Sequence, residues 1–430
     1  MNIVLIVIVG IAFGFAGWRQ LLWSSAAGQT APMEALSTAM VESAKGAVEL
    51  AIGLVGVMTL FLGLMKVAEA GGMLAILARL IRPLMVRLFP EVPADHPAMG
   101  AMILNLSANM LGLGNAATPF GIRAMQELEK LNPRHGTATN AMALFLAINT
   151  SSVTLLPTGV IALRAAAGSA DPAAILPTTL FATICSTTAA IIAAKTFCRW
   201  SPLETVTDEP GPAEASGEPA PAQNTDPGEA SAYPYWVSLS ALVLLVTLIP
   251  LTVLYGQTIS PWVIPGLMVF FLGFGMLRGV KVYEELVEGG KEGFQVAIRI
   301  IPYLVAILVA VGMLRASGAL DLIVSFLGAF TSRVGLPAEA LPMALLRPLS
   351  GSGAYGIMAA IINDPAIGPD SYTGYLVSTL QGCTETTFYV LAVYYGSIQV
   401  RRLRHTMAAA LFGDAVGIAC SVLACWYLFG

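Results

Sequence analysis

Apolar runs of about 20 residues, bounded by charged or Gly/Pro-containing breaks, recur along the chain. That is the length a helix needs to cross a hydrocarbon core of about 30 Å. The runs lie near 2–23, 46–68, 138–164, 173–198, 236–256, 260–278, 296–316, 372–395 and 405–429. They predict an all-α polytopic membrane protein with about nine spanning helices. The first run carries Arg19 late, has no basic stretch ahead of it and is long enough to span. It reads as a retained helix rather than a signal peptide.

Two regions break the pattern. Ala98 to Lys130 holds N-L-S-A-N-M-L-G-L-G-N-A-A-T-P, and Leu341 to Asp364 holds R-P-L-S-G-S-G-A-Y-G-I. Each is apolar at both ends with a Gly/Ser/Asn centre. Backbone groups freed there cannot face lipid unsatisfied, so both regions are expected to be re-entrant helical hairpins. Gly-rich spans packed by small residues are the alternative. An amphipathic stretch precedes each hairpin. The first carries Arg79, Arg82 and Arg87 and reads as a helix lying at the interface; its counterpart starts at Asp321.

The chain also repeats itself. Lys45 matches Lys291, Ala51 matches Ala297, Ile52 matches Ile298 and Gly72 matches Gly318, all at an offset of 246 (291 − 45). The hairpin cores match each other, and N-T-S-S-V-T at Asn149 resembles C-T-E-T-T-F at Cys383. Three parts follow: 1–200, a segment over 201–232, and 233–430. The middle part is Pro/Ala/Gly-rich and acidic, without Lys or Arg, and reads as a disordered tether. If each hairpin returns to its own side, Lys45, Arg164, Arg315, Arg333 and Arg347 fall on one side. The other Lys and Arg, apart from Arg19 and Arg299 inside spans, fall opposite. The richer side is cytoplasmic by the positive-inside rule. The N-terminus is then expected inside, the C-terminus outside, and the two repeats in inverted topology.

Composition narrows the class. Hydrophobic residues are 56% and charged residues 11% of the chain; a soluble globule carries roughly a quarter charged. No basic stripe interleaves with aromatics, so nucleic acid is not an expected partner. The five cysteines and three histidines are scattered without metal-ligand spacing. No Ser/His/Asp set stands on soluble sequence, and no enzyme activity or cofactor is expected.

Candidate chemistry lies at membrane depth. Asn149, Thr150, Ser151 and Ser152 precede Pro157, and Gln381, Thr384, Glu385, Thr386 and Thr387 flank Gly382 and Cys383. Hydroxyls and amides there are costly unless they pair with each other or with a solute, and proline or glycine helps unwind the helix. Interhelical hydrogen bonding is the plainer role for any one of them. Asn105, Ser107, Asn109 and Asn115 line the first hairpin; Ser350, Ser352 and Tyr355 line the second. Half-helix N-termini at such tips favour anionic groups. Thr384, Glu385, Thr386 and Thr387 are the candidate coupling group, with Na⁺ or H⁺ as the ion. Glu385, a mid-membrane carboxylate, marks an ion or proton pathway or a structural pair with Arg347. Asp414 is a second intramembrane acid whose role stays open.

N-L-S-A-N-M-L-G-L-G-N-A-A-T-P-F-G and N-T-S-S-V-T-L-L-P resemble the spore maturation protein A family. R-P-L-S-G-S-G-A-Y-G-I and Q-G-C-T-E-T-T-F-Y-V-L-A-V-Y-Y-G resemble the spore maturation protein B family. Together they look like a natural fusion of the two, covering nearly everything but the tether. Both families belong to the nucleoside-recognition, or Gate, group. The resemblance implies a helical-hairpin fold akin to concentrative nucleoside transporters and to the membrane gate of ferrous-iron transporters. It dictates no substrate. The expectation is a secondary transporter of a small polar or anionic organic solute in a bacterial inner membrane, with a homo-oligomer left open. A non-transporting scaffold that positions cell-envelope or spore-maturation enzymes is the alternative.

Overall fold

Gly72 and Gly318 both take a left-handed φ, +83° and +81°. Each sits just past the end of a long helix, where a side chain would strain the backbone. The computed structural model describes residues 2–24, 30–112, 114–201, 233–320, 322 and 331–430, and, α3 apart, the same order of helices surrounds both glycines. The first half runs α1 (Asn2–Leu21), α2 (Pro32–Ala70), α3 (Met73–Leu88), a hairpin of α4 (Pro97–Met110) and α5 (Gly114–Lys130), then α6 (Asn140–Thr150), α7 (Thr158–Ala166) and α8 (Leu176–Phe197). The second runs α9 (Tyr235–Leu277), α10 (Val282–Ser317), a hairpin of α11 (Leu341–Leu346) and α12 (Gly351–Ile362), then α13 (Tyr372–Cys383), α14 (Thr387–Gly396) and α15 (Thr406–Phe429).

Both expected helical hairpins are present, and α3 is the first amphipathic stretch. Its counterpart from Asp321 lies mostly outside the described residues, and the tether at 201–232 lies outside them except for Ser201. Three of the described helices are long and apolar enough to cross a membrane: Pro32–Ala70, Leu176–Trp200 and Thr406–Phe429. Large apolar side chains such as Trp18, Leu244, Trp262 and Trp426 stand exposed, as lipid-facing residues do. The protein is a membrane protein.

One expectation fails. The runs at 236–256 and 260–278 are a single helix of 43 residues, roughly 65 Å at 1.5 Å per residue. The stretch from Gly256 to Ser260 has no charge and no Asn or Asp to hold a turn. Pro261 removes only one helical donor. The helix makes no return at 257–259.

The relation between the halves is read from packing instead. Gly312 of α10 faces Ser43 of α2, Gly293 faces Met58 and Thr59, and Gly289 faces Leu62 and Lys66. Rising numbers on one helix meet falling numbers on the other, so these equivalent helices run antiparallel. The pair α8 and α15 does the same: Phe197 meets Phe412, Ala190 meets Gly413, and Ser186 meets Gly417. Two apolar cores each draw on both halves. One gathers Met99, Met102, Phe145 and Tyr394; the other gathers Ile161, Met358 and Leu376.

The α2–α10 contact depends on missing side chains. A Cβ on Gly293 would lie 2.6 Å from the Met58 carbonyl oxygen and 2.8 Å from the Thr59 Cα. Backbone atoms cannot rotate away. Gly293→Ala gains about 1 kcal/mol of helix propensity but forces the helices apart, at a cost of about 1–3 kcal/mol. A lower melting temperature in detergent is expected. Gly290→Ala meets the Thr59 Cγ2 at 3.0 Å and the Thr59 carbonyl oxygen at an ordinary 3.7 Å, and should melt no lower than wild type. Equal melting of the two variants would remove this account of the contact.

Candidate functional site

Two interrupted helices lie side by side. The first breaks over Ser151–Pro157, between α6 and α7; the second breaks over Thr384–Thr386, between α13 and α14. Both begin on a side-chain cap: Thr139 accepts from the Met142 amide at 3.1 Å, and Ser371 accepts from the Gly374 amide at 3.0 Å. Pro157 at the first break has no amide to continue a helix. The two run antiparallel with their breaks adjacent. Phe145 stacks on Tyr394 with centroids 6.4 Å apart, and Arg164 reaches the Ser378 hydroxyl at 3.3 Å. Between those contacts the Glu385 amide donates to the Thr150 carbonyl at 2.8 Å. One break therefore satisfies a backbone group of the other.

Each hairpin tip docks on the break of its own half. The Leu155 amide donates to the Met110 carbonyl at 2.9 Å, and the Phe388 amide donates to the Pro348 carbonyl at 3.0 Å. In the first half Asn109 Nδ2 donates to Asn149 Oδ1 at 2.9 Å. In the second half the tip carries a buried cation. Arg347 Nε donates to the Gln381 carbonyl at 3.2 Å, Nη1 to Thr386 Oγ1 at 3.1 Å, and Nη2 to the Thr384 carbonyl. Carbonyls released by the broken helix thus find a guanidinium. Glu385 Oε2 stands 3.8 Å from Arg347 Nη2, and its side chain is 51% exposed. Gly351, in the first turn of α12, faces Thr386 beside the first turn of α14. Two helix N-termini and one guanidinium converge there, a setting that favours negative charge.

The other expected residues divide into two groups. Asn105 is fully buried and donates to the Ala117 carbonyl at 2.7 Å and to the Tyr394 hydroxyl at 3.2 Å, so it ties the first hairpin to α14. Ser350 caps α12, accepting from the Gly353 amide at 3.0 Å. The Tyr355 hydroxyl packs against Gly159 of α7, and Ser352 is half-buried in the first turn of α12. Thr387 donates to Asp414 Oδ2 at 2.6 Å. Gln381 is buried, with its side-chain Oε1 unpartnered. In contrast, Ser107 and Thr150 donate to carbonyls three or four residues back in their own helices, and Ser151 and Ser152, in the break, donate back to carbonyls of α6. Asn149 Nδ2 does likewise, to Phe145. Asn115 lies in the first turn of α5, and its side chain is outside the described residues.

Sequence reasoning named Arg347 only as a partner for Glu385. Its main role is to hold the carbonyls of the second break. The signal was an arginine at the centre of an apolar hairpin. The bond between Thr387 and Asp414 left no sequence signal, because 27 positions separate the two. Cavities lie elsewhere among the described residues. One of about 580 Å³ opens between α2, α10 and α12, beside Glu42, Glu49 and Asn363. One of about 600 Å³ is lined by Arg333, Tyr372 and Trp426.

A family model described as nucleoside recognition, the Gate model, matches residues 51–167 and 297–401. The two matches begin 246 positions apart (297 − 51), the offset of the internal repeat, and together span just over half the chain. The chain belongs to the Gate family. Spore maturation protein B of Bacillus subtilis (strain 168) is 43% identical over 167 residues, 39% of this chain and 93% of that protein. Spore maturation protein A of the same organism is 47% identical over 160 residues, 37% of this chain and 82% of that protein. Among solved structures, CNTnw in an inward-facing substrate-bound state has a TM-score of 0.42 at 14% identity, covering 97% of this chain and 88% of that one. A doubly substituted CNTnw in an outward-facing state has a TM-score of 0.43 at 13% identity, covering 97% and 89%.

Proposed function

We propose that this Gate-family protein is a secondary transporter of a small polar or anionic organic solute, working by alternating access and coupled to Na⁺ or H⁺. The observation that carries the reading is the second break. There a half-exposed Glu385 stands at loose range from a buried Arg347, between two helix N-termini. An acid that is neither buried nor tightly paired is open to a coupling ion. The arginine and the helix ends supply the complement for an anionic group. We further propose that 1–200 and 233–430 are two Gate repeats in inverted topology, fused through the tether in a bacterial inner membrane. The antiparallel pairs α2–α10 and α8–α15 support inversion. The N-terminus would be cytoplasmic and the C-terminus outside. A C-terminal alkaline phosphatase fusion should then be active, and an inactive fusion with an active cytoplasmic reporter would overturn that orientation.

Glu385→Gln keeps shape and hydrogen bonding but removes charge and titration. Ion-coupled flux in proteoliposomes, per folded molecule, is expected to fall about tenfold or more. A tenfold loss needs only ~1.4 kcal/mol, less than the charge terms at membrane depth. The screen for the solute compares metabolites of deletion and overexpression cells. Wild-type pH or sodium dependence that survives intact in the Gln variant would remove Glu385 as the coupling group.

A non-transporting scaffold for envelope or spore-maturation enzymes is favoured by one observation: the hydroxyls of Thr150, Ser151 and Ser152 donate to carbonyls of α6. Absence of flux for every solute that differs between those cells would select it.

A further inference from the structure

Asp414 lies in the middle of α15 and is 2% exposed. One carboxylate oxygen, Oδ2, accepts a 2.6 Å hydrogen bond from the Thr387 hydroxyl. The other, Oδ1, is buried without any partner among the described residues. The elements packed around it bring little charge. From α8 come Ser186, whose hydroxyl donates to the Gly413 carbonyl, and the Cys185 thiol near Cys420. From the first break the Ser151 side chain packs on Gly413. From α13 comes the Cys383 thiol. The charge nearest to hand is Arg347, whose three nitrogens are already committed around the second break, with Glu385 Oε2 3.8 Å from its Nη2.

A carboxylate in this position, with one hydrogen bond and no adjacent cation, is costly at membrane depth. A neutral acid is not. Its carbonyl oxygen keeps the Thr387 bond, and its proton covers the oxygen that lacks a donor. We propose that Asp414 is a proton-binding site, held as the carboxylic acid with the proton on Oδ1 while α14 is docked on α15. Thr387 is the first residue of α14, directly after the break, so the same hydrogen bond that fixes the acid also fixes the helix. If α14 withdraws and water reaches the carboxyl group, the O–H bond breaks, the proton leaves to water and the negative charge stays on Asp414. The site stands on this geometry alone and does not depend on Glu385 or on transport.

Infrared spectroscopy of the full-length protein in lipid nanodiscs near neutral pH tests it. Wild type should show a carboxylic-acid C=O stretch that Asp414→Asn removes and Glu385→Gln leaves in place. Thr387→Val should retain the band and move it to higher frequency, because the carbonyl oxygen loses its hydrogen bond. That variant serves if the Asn protein does not fold. No carboxylic-acid band in wild type would overturn the proposal. So would a band unchanged in Asp414→Asn, or one that is lost or does not move in Thr387→Val.

Discussion

Arg347→Ala is expected to lose about 3–5 kcal/mol of stability, the usual cost of deleting one partner from a buried charged network. Little folded protein should be recovered from detergent extracts. The guanidinium is 5% exposed and serves the Gln381 and Thr384 carbonyls and the Thr386 hydroxyl. Those carbonyls lost their helical donors when the helix broke. With alanine at 347 they become buried acceptors with nothing to accept, and each costs about 1–3 kcal/mol. Lysine offers a point charge on a flexible stem in place of a planar fork. It can reach one carbonyl but not all three acceptors, so Arg347→Lys should fall between wild type and alanine. Glu385→Gln should change stability far less, because that carboxylate is half exposed and only loosely paired. The measurement is the thermal midpoint of detergent-solubilised protein followed by size-exclusion chromatography. An alanine variant that melts with wild type would mean that water or lipid, not Arg347, satisfies the break.

The parts that were legible in the sequence share a cause: each is imposed by local chemistry that a membrane does not tolerate elsewhere. Gly, Ser and Asn in the centre of an apolar stretch marked both hairpins. Pro157 and Gly382 marked the helix breaks. Gly72 and Gly318, aligned by the repeat, both took the left-handed backbone that glycine allows. What was not legible depends on partners far along the chain, or on competition within one turn. Arg347 meets acceptors 34 to 39 positions away. For Thr150 and Ser151 the sequence leaves a solute and a partner helix as the alternatives, yet a hydroxyl near a helix end can also turn back to a carbonyl three or four residues earlier, and these do. The continuity of α9 was missed because length alone set the expected boundaries, and no turn-forming residue stood at the assumed return.

Arg164→Ala is expected to weaken the joint between the two halves by a similar amount, about 3–5 kcal/mol. The side chain is fully buried in the last turn of α7. Nη1 donates to the Pro369 carbonyl at 2.6 Å and to Ser378; Nη2 donates to Ser169 at 3.0 Å, to the Asp171 carbonyl at 3.3 Å and to Asp370 at 2.9 Å. The guanidinium also lies 4.4 Å from the centre of the Tyr375 ring. Asp370 in turn accepts from the Ser169 hydroxyl and the Ala170 amide. The loop after α7 and the loop before α13 are therefore bound through one arginine. The far end of the same antiparallel pair has a counterpart in Arg404, which donates to the Ala138 carbonyl at 2.9 Å and to Ser201. Arg404 is only partly buried, so water can replace its bonds and Arg404→Ala should cost less. Asp370→Asn should also be mild, since its side chain is 34% exposed and Arg164 keeps its carbonyl acceptors. A protease site placed within 205–228 makes the joint directly measurable. After cleavage the wild-type halves should stay together on a sizing column, because both cores are built from both halves. The halves of the Arg164→Ala protein should separate at a lower temperature. Co-elution of the cleaved variant up to the wild-type melting point would show that the apolar cores hold the halves and that the arginine clamp adds nothing measurable.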